Sequence, residues 1–217
     1  KERKYFMTRK FLIAAMLITF VLAGCSFAAD VDLGEGYHVP TNFSSVLITS
    51  SDGTAIQNAV ERIQAGGTIL LSGDFKLKRT INIKRNLTIK GINNAVLDHS
   101  EATKKDRVIR CEGDINLENL TITGGNSTNG GGVKLDGGEV KIIKCNIYGN
   151  EGILGGGGIH SQAKKLTLTS CDISKNSVMW AGGGISFIGG TITITDCNIS
   201  NNTTVRSEER RVGKEGR

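Results

Sequence analysis

Short runs of alternating apolar and polar residues dominate the second half of the chain. Residues 166–168 read Leu-Thr-Leu, and residues 171–173 read Cys-Asp-Ile. Alternation of this kind, rich in β-branched residues and without helical spacing, predicts half-buried β-strands. We therefore expect two or three short strands, separated by turns of Gly and Asn, in each segment of 26 residues.

This pattern is repeated at a single period. A Gly-Gly-Gly triplet followed by an aliphatic residue begins at Gly130, Gly156 and Gly182, in steps of 26 residues. Five further columns keep that step: Cys145, Cys171 and Cys197; Asn150, Asn176 and Asn202; Val140, Leu166 and Ile192; Ile142, Leu168 and Ile194; and Ile147, Ile173 and Ile199. Such a period is typical of stacked repeats. Each unit fits one coil of a parallel β-helix, with coils about 4.8 Å apart and equivalent residues superposed, so the chain is predicted to be all-β.

The apolar spacing becomes helical just before this body. Ile56, Val60 and Ile63 lie at i, i+4 and i+7, after a helix N-cap at Asp52. We predict a short capping helix within residues 51–67 that covers the open end of the solenoid, because an uncovered edge would pair with other chains.

The remaining body divides into a tether and a solenoid. Residues 25–50 are predicted to form a tether with an edge strand at residues 46–48, and residues 68–205 to hold about five coils. Ile115 corresponds to Val140 of the next coil. Their separation is one residue less than the 26-residue step of the later coils, so one residue is missing between them. The last Asn of each unit is expected to occupy a turn with left-handed backbone angles and to form a side-chain ladder.

The repeat motif resembles that of right-handed parallel β-helix surface proteins, which include polymorphic outer-membrane proteins and adhesin-like proteins. A Gly-Gly-aliphatic element stands at residues 131–133, 157–159 and 183–185. The second element of that family, aromatic-x-x-Asn, is matched with Ile in place of the aromatic residue, as at residues 173–176. The resemblance implies a right-handed, pectin lyase-like fold, which hosts both enzymes and adhesins.

The N-terminal region resembles a bacterial lipoprotein signal peptide. Residues 8–10 carry two positive charges, residues 11–21 are almost entirely apolar, and Leu22-Ala-Gly-Cys25 resembles a lipobox. This resemblance implies cleavage before Cys25, lipidation of its sulfur, and attachment of an exported protein to the outer membrane or cell surface. Cleavage after Ala29 is the alternative. Met7 is the expected start, so residues 1–6 would be upstream sequence and residues 7–24 the signal.

Residues 206–217 break the repeat and are charged throughout. They resemble the translation of a sequencing adapter joined to a truncated reading frame; a solvated charged tail is the alternative. Without residues 1–24 and 206–217, the body holds 17 basic and 17 acidic residues, although the whole chain carries +6. A neutral body argues against nucleic acid or another polyanion as a general partner.

The stacked cysteines are expected to be small buried hydrophobes, with a disulfide between neighbouring coils as the alternative. Cys111 lies outside this column. The sequence has no Cys-x-x-Cys motif with a nearby His, so we predict neither a metal site nor a cofactor. His160 stands by itself after a Gly triplet and is expected at the surface.

Catalytic candidates are few. The carboxylates considered are Asp98, Asp114, Asp136, Asp172 and Asp196. The Asp-Asp and Gly-His-Gly motifs of β-helix hydrolases are absent, and no pair at a defined separation is visible. Two combinations imitate pectate lyases, which use calcium-binding acids with a basic residue: Lys134 with Asp136, and Arg107 with Arg110 and Asp114. Solvated strand faces account for these residues better.

Between the Asn column and the next Gly triplet, each coil carries a short segment that varies in sequence. Residues 151–155 and 177–181 contribute Ile153, Leu154, Val178, Met179 and Trp180 to one edge, where they could bind a sugar ring or a protein. The alternative is that these loop tips fold over the coil and are buried. We expect an exported surface lipoprotein with an adhesin-like or structural role and a host or cell-surface glycan or protein as partner. The alternatives are a carbohydrate-active enzyme (lyase or glycoside hydrolase) and a glycan-binding module without catalytic activity.

Overall fold

The computed structural model describes residues 44–49 and 53–205. The predicted lipobox with Cys25, most of the tether, the N-cap Asp52 and residues 206–217 lie outside these ranges. Within them, nineteen strands and one helix are present, and every strand pair is parallel. The prediction of an all-β parallel solenoid with one short helix is therefore confirmed; its right-handed winding stays a prediction.

The strands, numbered in chain order, form three sheets. The ten-stranded first sheet contains β1 (Ser45–Ile48), β2 (Gly67–Lys76), β4 (Leu87–Asp98), β6 (Ile115–Thr123), β9 (Glu139–Ile143), β10 (Asn146–Tyr148), β13 (Lys165–Thr169), β14 (Asp172–Ser174), β17 (Thr191–Thr195) and β18 (Asn198–Ser200). The five-stranded second sheet contains β3 (Ile81–Ile83), β5 (Ile109–Cys111), β8 (Val133–Leu135), β12 (Ile159–Ser161) and β16 (Ile185–Phe187). The four-stranded third sheet contains β7 (Asn126–Asn129), β11 (Glu151–Gly155), β15 (Ser177–Val178) and β19 (Thr203–Thr204).

Register follows the sequence repeat in the later coils. Ile159 of β12 pairs with Val133, one repeat before it, and with Ile185, one repeat after it. The predicted local shortening is also confirmed, because Ile115 of β6 pairs with Val140 of β9. Most inward strand positions are apolar, and a slip by one residue would expose them, so the hydrophobic pattern fixes the register.

The helix α1 (Gly53–Arg62) closes the first end of the stack. Its stripe residue Ile56 is fully buried and Val60 is 2% exposed, and both belong to the core that the strands fill. The helix ends earlier than residue 67, since Gly67 already starts β2. The solenoid has about six turns; β1 pairs with β2 and, with α1, adds a turn before the five counted from residue 68.

The core is a set of apolar columns enclosed by the three sheets. Ile142 and Leu168 are fully buried, whereas Ile194, in the same column, is 45% exposed because no further strand of the described chain covers it. Full burial of one such side chain stabilises the fold by about 1.5–3 kcal/mol. Each internal coil therefore depends on the coil that follows it.

The bends between strands are left-handed at recurring positions. Lys144, Ser170 and Asp196 directly precede the three column cysteines and have φ of 53°, 54° and 53°. Lys175 and Asn201, with φ of 53° and 54°, directly precede column asparagines. The prediction that the column Asn itself adopts left-handed angles was wrong: the preceding residue makes the bend, and this turns the Asn side chain inward.

Candidate functional site

The asparagine column forms a hydrogen-bonded ladder inside the solenoid. Asn150 Nδ2 donates to Asn176 Oδ1 at 3.0 Å, and Asn176 Nδ2 donates to Asn202 Oδ1 at 3.0 Å. Asn150 and Asn176 are fully buried. Gly158 packs against this ladder, since a Cβ there would lie 2.9 Å from Asn176 Nδ2 and 2.7 Å from the carbonyl oxygen of Gly184. The Asn and Gly columns therefore serve one structural purpose, and neither presents chemistry to solvent.

The four cysteines within the described residues are free thiols. Cys145 is fully buried and Cys171 is 2% exposed, and the backbone N–H of Cys171 donates to Cys197 Sγ at 3.3 Å. Burial raises the pKa of Cys145 to about 12 and that of Cys111 to about 11. Thiols with such pKa values are un-ionised at neutral pH and are poor nucleophiles. In the described part of the chain, no group of three or more His, Cys, Asp or Glu is arranged to hold a metal ion.

The segments predicted as variable loops are largely part of the third sheet, although residues 179 and 180 lie outside β15. Residues 151–155 form β11 and pair with β15, and a bridge joins Gly155 to Ala181. Val178 is fully buried and so does not belong to an exposed edge. It lies opposite Gly152, and a Cβ at Gly152 would come within 3.1 Å of Val178 Cγ2. The missing side chain at Gly152 makes room for Val178 to turn inward.

Four of the predicted edge residues remain exposed. Ile153, Leu154, Met179 and Trp180 are exposed by 42%, 51%, 43% and 50%. They come from two successive turns that pair in register, and we call them the apolar edge. Of the other exposed large apolar residues of the described chain, Tyr148 lies on the internal strand β10, and the rest, such as Ile194 and Ile199, lie on its last turn. A cluster of apolar side chains on an internal pair of turns is typical of an interaction surface.

The second sheet carries a charged array on its outer face. Arg110 Nε donates to Asp136 Oδ2 at 2.7 Å, and Lys134 Nζ donates to Asp136 Oδ1 at 2.9 Å. Glu112 Oε1 lies 3.3 Å from a guanidinium nitrogen of Arg110. Burial alone would raise the pKa of Asp136, but hydrogen bonds from Lys134 and Arg110 outweigh it and hold the pKa below its ordinary value. Asp136 is therefore a carboxylate at neutral pH and cannot serve as a general acid.

The structure brings Lys134 and Asp136 together but does not join Arg107, Arg110 and Asp114. Arg107 donates to Ser127 Oγ at 2.7 Å. Asp114 accepts from the backbone N–H of Glu139 at 2.8 Å. The other carboxylates are dispersed: Asp98 pairs with Lys76 at 2.7 Å, Asp172 accepts from Asn198 at 2.8 Å, and Asp196 occupies a left-handed bend.

His160 was expected at the surface, and this was wrong: it is 5% exposed. It stands opposite Lys134 in the register of the second sheet, and Gly155 of β11 covers its ring, with the Cβ position of Gly155 3.2 Å from Nδ1. Burial, followed by the nearby charge of Lys134, lowers the pKa of His160. Nδ1 has no hydrogen-bond partner within residues 44–49 and 53–205.

Comparison with known protein families, curated proteins and solved structures finds no match for this chain. In the described residues, no helix combines the length and apolar character needed to cross a membrane.

Proposed function

We propose that this chain is an exported surface lipoprotein whose solenoid presents the apolar edge to a protein or glycan on another cell. The observation that carries the proposal is the exposure of Ile153, Leu154, Met179 and Trp180 on two paired turns. Large exposed apolar clusters are uncommon on proteins without partners. Aromatic and Met side chains are also enriched in the buried centres of interfaces.

The rest of the architecture fits this role. The columns of apolar side chains and the asparagine ladder hold successive turns in one register, so the apolar edge is a preorganised surface. Helix α1 covers one end of the stack and limits pairing with other chains. A lipid on Cys25 would hold this solenoid at a membrane, as the lipobox resemblance implies.

Binding by the apolar edge is tested with purified protein on fixed cells. The double variant Leu154→Ser/Trp180→Ala should bind at least about tenfold more weakly, which corresponds to about 1.4 kcal/mol. Ile188→Ala is the matched control, because Ile188 is 55% exposed and directly follows β16 of the second sheet. Equal binding by both variants would refute the proposal. Pretreatment of the cells with protease or with glycosidases separates a protein partner from a glycan partner.

The lipid anchor is tested by growing an expressing bacterium with labelled palmitate. The protein should take up the label and partition into detergent, and Cys25→Ala should do neither. A wild-type protein that is cleaved after Ala29 and carries no label would exclude the anchor.

A carbohydrate-active enzyme is the second candidate, and the charged array favours it. Lys134 and Arg110 flank Asp136 on an outer sheet face, where a basic residue beside an acid is what an acidic-polysaccharide lyase uses. Purified protein should then release unsaturated products from polygalacturonate in the presence of calcium, and Lys134→Ala should abolish the release. A binding module without catalytic activity would instead retain glycan through stacking on Trp180 and release no product.

A further inference from the structure

A polar groove of about 860 Å³ lies between helix α1 and the early turns of the solenoid. Its volume is within the range of about 300–1,000 Å³ that is usual for small-ligand sites. It is formed by residues far apart in sequence, because both Gln57 of α1 and Lys104 line it. No residue of the apolar edge lines it. The groove is therefore a second site, and it does not depend on the function proposed above.

The wall on the helix side is fixed by paired hydrogen bonds. The backbone N–H of Asn82 donates to Gln57 Oε1 at 2.9 Å, and Gln57 Nε2 donates to the backbone oxygen of Asn82 at 3.3 Å. Thr80 is 8% exposed, and its Oγ1 donates to the backbone oxygen of Arg107 at 2.8 Å. Two elements are thereby held at a constant separation, so the groove exists before any ligand arrives.

The charges around the groove are unbalanced. Lys78, Arg79 and Lys104 line it, are exposed, and form no ion pair with any described carboxylate. The two acidic residues in the lining keep their negative charge and accept hydrogen bonds from neighbouring groups. Glu61 accepts from Gln57 Nε2 at 3.0 Å, and Asp106 accepts from the backbone N–H of Arg107 at 2.8 Å. The described lining therefore has three cations and two carboxylates, and its formal net charge of +1 favours an anionic ligand at the three cations.

The lining of the groove offers hydrogen-bonding groups beside an apolar surface of similar area. His99 is 3% exposed, and its Nε2 has no hydrogen-bond partner in the described ranges. Asn58 and Asn82 also line the groove, and the amide nitrogen of Asn82 donates to the backbone oxygen of Thr80 at 3.2 Å. Among the described lining residues there is no Phe, Tyr or Trp on which a nucleobase could stack. Amides beside cations match a ligand with many hydroxyl groups and negative charge.

We propose that this groove binds an anionic oligosaccharide, with Arg79 and Lys104 holding its carboxylate or sulfate groups and the amides holding its hydroxyls. The arrangement is a binding site without a chemical step. Carboxylate and sulfate present the same acceptor chemistry to these cations, so the two ligand sources are distinguished by the probes.

Isothermal titration calorimetry of the full chain with three probes tests the proposal. Trigalacturonate carries carboxylates, a heparin tetrasaccharide carries both carboxylates and sulfates, and cellotriose is neutral. At least one anionic probe should bind, and cellotriose should bind at least about tenfold more weakly. Binding of the heparin probe without trigalacturonate would identify sulfate as the recognised group. Equal binding of cellotriose, or binding by none of the probes, would overturn the proposal.

Substitutions of residues that line the groove test whether the ligand binds there. Arg79→Ala/Lys104→Ala should weaken the anionic probe at least about tenfold and reduce the dependence of affinity on salt. Lys165→Ala is the control, because Lys165 is exposed on β13 and does not line the groove. Circular dichroism verifies that each variant is folded. Asn58→Ala, which removes no charge, should weaken binding without changing its salt dependence. If the double variant binds like the control, the groove is not the site.

Discussion

Replacement of Asn176 by Ala removes the centre of the asparagine ladder. The side chain donates to the backbone oxygen of Ile147 at 2.9 Å and accepts from the backbone N–H of Asn150 at 3.1 Å, and it is fully buried. Both backbone groups lose this partner in the variant. Each buried polar group left unpaired costs about 1–3 kcal/mol, so Asn176→Ala should lower the free energy of unfolding by about 2–6 kcal/mol.

Urea unfolding followed by circular dichroism measures this loss against a matched control. Asn198 is exposed on β18 and makes a hydrogen bond to Asp172, so Asn198→Ala should cost about 0.5 kcal/mol or less. Asn176→Asp keeps an acceptor for Asn150 but buries a carboxyl, whose pKa should rise. The stability of that variant should fall as pH increases through that pKa. If Asn176→Ala and Asn198→Ala unfold at the same urea concentration, the ladder does not stabilise the fold.

Three further predictions concern stability. Lys175→Gly should stabilise the protein by up to about 1 kcal/mol, because φ of 53° at residue 175 strains a residue with a Cβ and does not strain glycine. A loss of stability in thermal unfolding would contradict this. Leu168→Ala should lower the free energy of unfolding by about 2–5 kcal/mol, because Leu168 is fully buried. Ile194→Ala should lower it by less than half as much, because Ile194 is 45% exposed. Equal losses in urea unfolding would show that the last turn is covered in solution. Burial lowers the folded-state pKa of His99 and of His160 below 6.5, so the unfolded chain binds protons first as pH falls. The free energy of unfolding should therefore decrease as the pH falls below 6.5. In the double variant His99→Gln/His160→Gln, this decrease should be absent. A variant with the same pH profile as the wild type would refute the role of these two histidines.

The stacking of the later coils could be predicted because each column carries one residue type at a fixed step. Most inward strand positions carry apolar side chains, and this regularity made the match between Ile115 and Val140 recognisable despite the missing residue. The early turns were not predicted in detail. Ile69 pairs with Ile89 across a short turn, whereas Ile81 pairs with Ile109 across a much longer one. Turns of such different lengths leave no common period.

The sequence pattern also did not predict which residues adopt left-handed backbone angles at the bends. Lys and Ser have no preference for left-handed angles, so the bends at Lys175 and Ser170 are imposed by the stacking of neighbouring turns. The burial of His160 depends on Gly155, and that of Val178 on Gly152, and both are packing relations across strands. The polar groove combines residues from α1 with residues from much later in the chain, and no local motif indicates it.

The central claim is that equivalent residues of consecutive repeats superpose in successive turns, and methyl-labelled NMR tests it most directly. Ile147, Ile173 and Ile199 are register partners in consecutive strands. Neighbours should lie about 4.8 Å apart at the backbone and the outer two about twice that distance. We predict nuclear Overhauser contacts between Ile147 and Ile173 and between Ile173 and Ile199, with none between Ile147 and Ile199. The absence of both sequential contacts, or a contact between the outer pair at equal strength, would contradict the solenoid.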